Sequence, residues 1–523
     1  MAWRNAILTS TKHWGLEHWS LFYLSLPWFI FFAGWFKPFF AFIWLIVLSL
    51  LVFYAYKYLQ NSQSNFAWPS LNRYMVLALV LLIGFWVFTS GISGLYFHQN
   101  GDFQKHNAIL YDLVNLPWPV AYHSEGKISK VVYLAYYCAF YLPAALLGKC
   151  CGMMVARIFL FAWAWAGGCL GFFWFVRLLG RFKWWVLPFF ILASGMDIIG
   201  ELFMKTVNLM DGVRHIEWWT QARFWTYQSH TTQIYWVPHQ AYAGWILTSL
   251  FYDLAFRQQT EKQQKIKATP ATFALLGCMW SPFVMVGLIP LIGYGFWHKR
   301  KIGLRGQNWW DLAGAVFCLI PIICLFASNI IKHFGGFIWV VYDWFLIWPK
   351  YFIFCWLEFG LIAYFLYPHF KQYATKDAYQ VWWVTVITLL AVPLYFYGMF
   401  NDFGMRVSMP SLFLFWLFTA RTFCFPANEV QSLVRRGVIF LLCFGAMTPL
   451  CEISRSFEHQ TIQYGYDHLP HIDRESSAQY FGRGDALFFR VLAKEPQVKV
   501  SLPQELDELI DRWSVKTSIK ANQ

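Results

Sequence analysis

Long apolar runs separated by short polar connections recur along the chain and set its class. They fall at 21–36, 39–56, 74–90, 131–147, 156–178 and 184–199, then at 241–256, 271–297, 312–331, 351–367, 381–400, 411–425 and 438–450. Predominantly apolar stretches of this length read as membrane-crossing helices. Several are shorter than a bilayer requires, so their ends extend by a few positions into the flanking residues.

Basic residues orient these runs, because Lys and Arg gather in cytoplasmic connections. Lys57 with Arg73, the trio Arg177, Arg181 and Lys183, the segments 257–267 and 299–305, Lys371 with Lys376, and Arg435 with Arg436 are all expected to be cytoplasmic. They share one side only if 131–147 does not cross and 271–297 enters and returns. Both have a local reason: Pro143 and Gly148 interrupt the first, and Ser281-Pro282 breaks the second at its midpoint.

The N-terminus is then cytoplasmic, and 91–155, 200–240, 332–350 and 401–409 face outward. A helical hairpin and cytoplasmic link (1–73) precede a transmembrane core (74–451) and an extracytoplasmic tail (452–523) with nearly balanced charges. In the tail, Leu502, Leu506, Leu509 and Ile510 share one face of a soluble helix over 501–513, either laid on the membrane surface or mobile. The expected fold is an all-α polytopic membrane protein of about 11–13 transmembrane helices, with surface helices in its first outer loop.

Composition agrees. Of 523 residues, 58% are hydrophobic and 13% charged, against about a quarter charged in soluble domains. This excludes disorder, collagen-like repeats and nucleic-acid partners, and it makes the net charge of +14 a topology signal. Cys169, Cys278, Cys318, Cys324, Cys355 and Cys443 sit within apolar runs, where a thiol behaves as a small apolar group. Cys150-Cys151 has no second pair or His spacing to make a zinc site. The lack of an N-x-[ST] acceptor favours a bacterial source, hence the inner membrane. Residues 1–20 lack a small-residue cleavage site, so the first apolar run reads as retained.

Ionisable residues at a membrane mark function more often than the apolar mass does. The densest set is in the first outer loop, where Asp102, Lys105 and Asp112 lie on an amphipathic segment carrying Ile109, Leu110 and Leu113, followed by Trp118-Pro119. Either acid could also simply cap or solvate a surface helix. In the second loop, Asp197 and Glu201 share a helical face that could hold a divalent ion or form a solvated rim. Arg214 follows, and His239 stands at the mouth of a span, where it could orient a hydroxyl or phosphate or be a satisfied structural group. Asp402 and Arg406 occupy the compact loop 401–409. Arg406 suits a lipid phosphate, with a local pair to Asp402 as the competing reading. Trp218, Trp219, Trp225, Tyr227 and Trp236 could stack on sugar faces or form a membrane belt.

This layout resembles the GT-C superfamily of polytopic glycosyltransferases, closest to the aminoarabinose transferase and protein O-mannosyltransferase branch. Asp102 matches the family's outer-loop acid, 105–113 its surface helix, Trp118-Pro119 its turn, and Tyr141-Leu142-Pro143 through Gly148 with Arg157 its Pro-bearing stretch and following Arg. The family's usual acidic pair is here a single Gly101-Asp102, and the two leading helices are extra. The resemblance implies a polyprenyl-phosphate-linked sugar donor, an unspecified acceptor, contacts with membrane lipids and inverting transfer. Asp102 would be the general base, and Lys105, Arg157, Arg214 or Arg406 would meet the leaving phosphate. No cofactor is required by it beyond a divalent metal ion at most. The rival reading is a transporter or flippase of a lipid-linked or anionic substrate. Most candidate charges, apart from Asp343 and Glu358, gather at span ends on one side, which favours surface chemistry.

Overall fold

The computed structural model describes residues 15–126, 130–204, 216–218, 225–256, 269–299, 308–331, 335–341, 344–398, 401–457, 464–472 and 477–520. Helices dominate for a solvent reason: hydrocarbon offers no partner for N–H and C=O groups, so each crossing segment must satisfy its own. Among the described residues, six helices are long and apolar enough to cross a membrane.

The first half builds one wall and its outer loop. Helices α1 (Leu16–Trp35), α2 (Pro38–Asn61) and α3 (Arg73–Thr89) lead into the loop. Pro38 starts α2 at a position whose N–H would have no helical partner, and the Asn72 side chain caps α3 by accepting from Met75 N at 2.8 Å. The loop contains α4 (Asp102–Asn115), strands β1 (Ala121–His123) and β2 (Val131–Leu134), and α5 (Leu142–Cys151). Gly152, at φ 89°, takes a backbone conformation open to glycine and reverses the chain into α6 (Met153–Leu179). The stretch 131–147, expected not to cross, is thus a strand followed by the first turns of a ten-residue helix.

The short helices α7 (Val186–Leu192), α8 (Asp197–Met204) and α9 (His230–Trp236) reach α10 (Pro238–Phe256). Next, α11 (Pro270–Cys278) and α12 (Pro282–Lys299) form the expected hairpin. At its open end, Asp311 accepts from Ala271 N and Thr272 N at 2.9 and 3.2 Å. Its tip packs at mid-depth, where Trp280 Nε1 donates to Leu24 O and Trp28 Nε1 to Leu276 O. Gly295 then comes back beside Ala255, near the end of α10.

The second half comprises α13 (Trp309–Ala327), β3 (Gly335–Phe337), α14 (Ile347–Tyr373), α15 (Lys376–Ala391), β4 (Tyr395–Tyr397), α16 (Asp402–Val407), α17 (Met409–Phe423) and α18 (Glu429–Arg455). A π-helical turn at Trp356–Gly360 interrupts α14 and buries Glu358. Asp343 lies outside the described residues.

Three expectations need correction or sharpening. The fold is mostly helical, as expected, and carries in addition a small antiparallel sheet of β1, β2 and β5 (Phe481–Arg483), with Tyr133 opposite Ala121 on one side and Gly482 on the other. Three- and four-residue strands are too short to leave an alternating pattern in the sequence. The tail is folded against the first outer loop. Its helix α19 (Gln504–Lys520) buries Leu506 and Ile510, and Asp507 accepts from Ser124 Oγ at 2.7 Å and Glu125 N at 2.9 Å. Finally, the leading hairpin packs into the core, with the Trp35 and Trp118 rings tilted by 31° at 4.9 Å between ring centres.

In a cysteine-free background, Gly101→Cys and Ser454→Cys should both react with an impermeant maleimide added outside intact cells, and Asn428→Cys only after permeabilisation. Labelling of Gly101→Cys from the cytosol alone would reverse the proposed orientation.

Candidate functional site

The ionisable residues of the first outer loop are placed by α4, a helix with one strongly apolar face. Phe103, Ile109, Leu110 and Leu113 are buried, which fixes its rotation. In its first turn Lys105 Nζ lies 3.2 Å from Asp102 Oδ2, with the lysine side chain 9% and the aspartate 36% exposed. Burial works against the charge on Asp102, but Lys105 first and also Arg406 outweigh it and hold the carboxyl below its usual range. Burial likewise disfavours the ammonium of Lys105, and Asp102 more than compensates, so the lysine stays protonated.

His106 ties this turn to two other elements. Its Nε2 lies 3.0 Å from Trp236 O, and since a carbonyl only accepts, Nε2 carries the proton and Nδ1 accepts from the Tyr141 hydroxyl. Burial, then the nearby Lys105 charge, pushes its pKa down to about 3, so the imidazole is neutral at physiological pH.

Opposite α4 stands α16. Its corner is built from Gly398 at φ 86°, where any Cβ would collide with Asp402, and from Asn401, whose side chain accepts from Gly404 N at 3.1 Å. The corner presents Arg406, with Nη1 2.7 Å from Asp402 Oδ1 and the guanidinium over Phe283 at 5.9 Å. Arg406 is within electrostatic reach of Asp102, Lys105 and His106. Tyr136 and Tyr137 line the same space, and Tyr137 stacks on His239 at 5.3 Å. His239 Nε2 lies 3.2 Å from the Tyr136 hydroxyl and 3.1 Å from Gln240 Nε2; its Nδ1 is buried.

The structure thus brings Asp102, Lys105, His239, Asp402 and Arg406 together at one end of the bundle. Others are elsewhere. Arg157 donates from Nε to Ser93 O at 3.0 Å, bonds Gly94 O through Nη2, and stacks on Tyr466, so it fastens backbone. Asp112, at the far end of α4, is fully buried and accepts from Tyr122 Oη at 2.5 Å and Leu469 N at 2.9 Å, with His468 Nδ1 at 2.5 Å. Asp197 accepts from Ser194 and Thr448 hydroxyls, at 3.3 and 2.9 Å, one helical turn from Glu201. Among the described residues, no three His, Cys, Asp or Glu side chains gather in an arrangement suited to a metal ion. Arg214 and Trp219 lie outside the described residues, as does the side chain of Trp218. Trp225 and Tyr227 are buried with their polar atoms on Pro393 O and Leu389 O, and Trp236 donates to Glu452 at 3.0 Å, so these three rings pack the core.

Sequence reasoning missed Tyr480. This tail residue places its ring 5.9 Å from Lys105 Nζ and 4.9 Å from the ring of Tyr136. Nothing local marks a tyrosine so far along the chain as part of this site; only the pairing of β5 with β2 carries it there. Compared with known proteins, the chain matches no protein family, no curated protein and no solved structure.

The tail is clasped to α4 by Tyr464, Tyr466, His468 and Leu469, through Gln99 and Asn107, Ser93, and Asp112. The bond to Asp112 raises the pKa of His468 above 6.5, so its stabilising contribution is complete below that pH and fades as the pH climbs through the raised value. Hydrogen exchange at 464–469, corrected for the intrinsic rate, should therefore quicken from neutral toward alkaline pH, and His468→Gln should flatten this dependence. Identical profiles for the two proteins would remove the imidazole from the clasp.

Proposed function

We propose that this chain is a membrane glycosyltransferase that moves a sugar from a polyprenyl-phosphate donor to an acceptor at the extracytoplasmic face. The approach of two carboxylate–cation pairs, Asp102 with Lys105 and Asp402 with Arg406, at one end of an apolar bundle is the observation that carries the reading. It fits the expected bacterial inner-membrane location and a GT-C-like layout.

In this reading Asp102 accepts the proton of an acceptor hydroxyl or amine as that group attacks the anomeric carbon. The new bond forms on the face opposite the departing group, so configuration inverts. The carbon–oxygen bond to the carrier breaks and its electron pair leaves on the phosphate. Lys105 and Arg406 stabilise that charge, and they do so strongly because low-polarity surroundings screen them little. His239 and the ring of Tyr480, which lies beside Lys105, would contact the sugar. A transporter would need its charges distributed along a passage, whereas these groups cluster at one end.

Asp102→Asn should lower the transfer rate by about 10³-fold while leaving donor binding intact, because only the proton acceptor is removed. The measurement is sugar transfer from polyprenyl-phosphate sugars in proteoliposomes, and full turnover by the variant would eliminate Asp102 as base. Lys105→Met leaves burial as the main influence on Asp102 and raises its pKa. The acid limb of the remaining kcat/KM profile should therefore move to higher pH; a limb that stays in place would mean that Lys105 does not tune the carboxylate.

A further inference from the structure

Helix α17 starts beside Arg406 and ends about 22 Å farther on, on the side that the basic connections assign to the cytoplasm. Pro426 follows its last turn and offers no N–H, so arginines from two other elements meet the carbonyls there. Arg181, just after α6, donates from Nη1 to Cys424 O at 3.2 Å. Arg435 of α18 donates from Nη2 to Thr422 O at 2.8 Å and to Phe425 O at 2.6 Å. Arg421 lies in the last turn itself and bonds the Tyr252 hydroxyl. Arg181, Lys183, Arg435 and Arg421 all act electrostatically on one group, the Cys424 thiol. Arg436 follows Arg435 and is exposed, as are Arg181 and Lys183.

Orientation in a membrane asks only that positive charge lie on one side, not that it converge. Lys57 and Arg73, expected on that same side, each lie over an aromatic ring of their own helix, Phe53 and Tyr74. Around the end of α17, by contrast, Arg181, Lys183, Arg421, Arg435 and Arg436 are held together, and among the described residues none of them forms an ion pair. Arg181 and Arg435 each bond through a single nitrogen, which leaves most of each planar fork for an oxyanion.

The cluster has two lobes. Residues 422 and 424 stand about 200° apart around the helix, so Arg435 with Arg436 reach its end from one side and Arg181 with Lys183 from the other. Trp184 is exposed next to Lys183, and Leu433 is exposed one turn from Arg436. Indole rings favour the headgroup level of a bilayer, which sets both lobes among lipid headgroups. A headgroup with one phosphate fills one lobe, and one with two phosphates on a common glycerol fills both.

We propose that the end of α17 binds a doubly anionic phospholipid of the cytoplasmic leaflet, diphosphatidylglycerol, with one phosphate on Arg181 and Lys183 and the other on Arg435 and Arg436. The lipid staples α6, α17 and α18 at the membrane boundary. This site shares no residue with the one at Arg406 and does not depend on the sugar-transfer reading.

The test uses the full chain and its Lys183→Gln/Arg436→Gln variant, which alters two exposed side chains that bond nothing among the described residues. Native mass spectrometry should show wild type binding diphosphatidylglycerol more tightly than phosphatidylglycerol. The variant should lose about 25-fold in diphosphatidylglycerol affinity and keep its weak binding of phosphatidylcholine. Diphosphatidylglycerol with a diazirine in its headgroup should cross-link to peptides within 180–186 or 421–437. Equal affinity for the one-phosphate and two-phosphate lipids, an unchanged variant, or cross-links confined to other segments would overturn the site. Displacement of the lipid by an equal concentration of inorganic pyrophosphate would reveal a site for a soluble anion and overturn the lipid as its ligand.

Discussion

A charge at the edge of an apolar bundle has to bring its counter-ion with it, and this requirement organises the site. Lys105 is paired with Asp102 one helical turn away, and Arg406 with Asp402 one turn away. Each pair is assembled within a single short helix, so the cost of removing either charge from water is offset before the two helices meet. What tertiary structure adds is the approach of one pair to the other. Both carboxylate partners keep some contact with solvent, Asp102 at 36% and Asp402 at 18% exposure, whereas the two cations are more deeply covered.

The precision of that approach depends on α4, which is held at three points along its length. Neutral His106 joins its first turns to Trp236 and Tyr141, Asn107 reaches the tail at Tyr464, and buried Asp112 anchors its far end to Tyr122 and Leu469. Two residues that looked like candidates for chemistry, Asp112 and Arg157, supply this framework. Both satisfy backbone groups that would otherwise be left without partners in a buried loop. The same chemistry that suits an acid or an arginine to a substrate suits it to a carbonyl or an amide, and residue type alone does not separate the two uses.

How much could be read from the sequence follows from the range of each interaction. Apolar runs reveal helices because the bilayer imposes one rule on every crossing segment, and Pro and Gly revealed the broken hairpin at 271–297 because they act on their own backbone. Asp102, Lys105, Asp402 and Arg406 could be singled out because each pair is local. The β1–β2 pair is too short to leave a pattern, and the third strand with the place of Tyr480 arises from pairing across more than 300 residues, as with Val132 opposite Arg483. The aromatic residues of the second loop were misleading for the opposite reason: Trp225 and Tyr227 look exposed in a polar context, yet their rings fill the space between helices.

The third strand of the outer sheet carries a consequence for biogenesis. Because β5 follows the apolar helices along the chain, and Tyr480 arrives with it, those helices can be made and packed while Lys105 still lacks its tyrosine neighbour. Maturation then has an order: the helices come first, and closure of the sheet waits until the stretch around Tyr480 reaches the first loop. A chain that stops before β5 would carry its apolar helices but only two strands of the sheet, without Tyr480 beside Lys105.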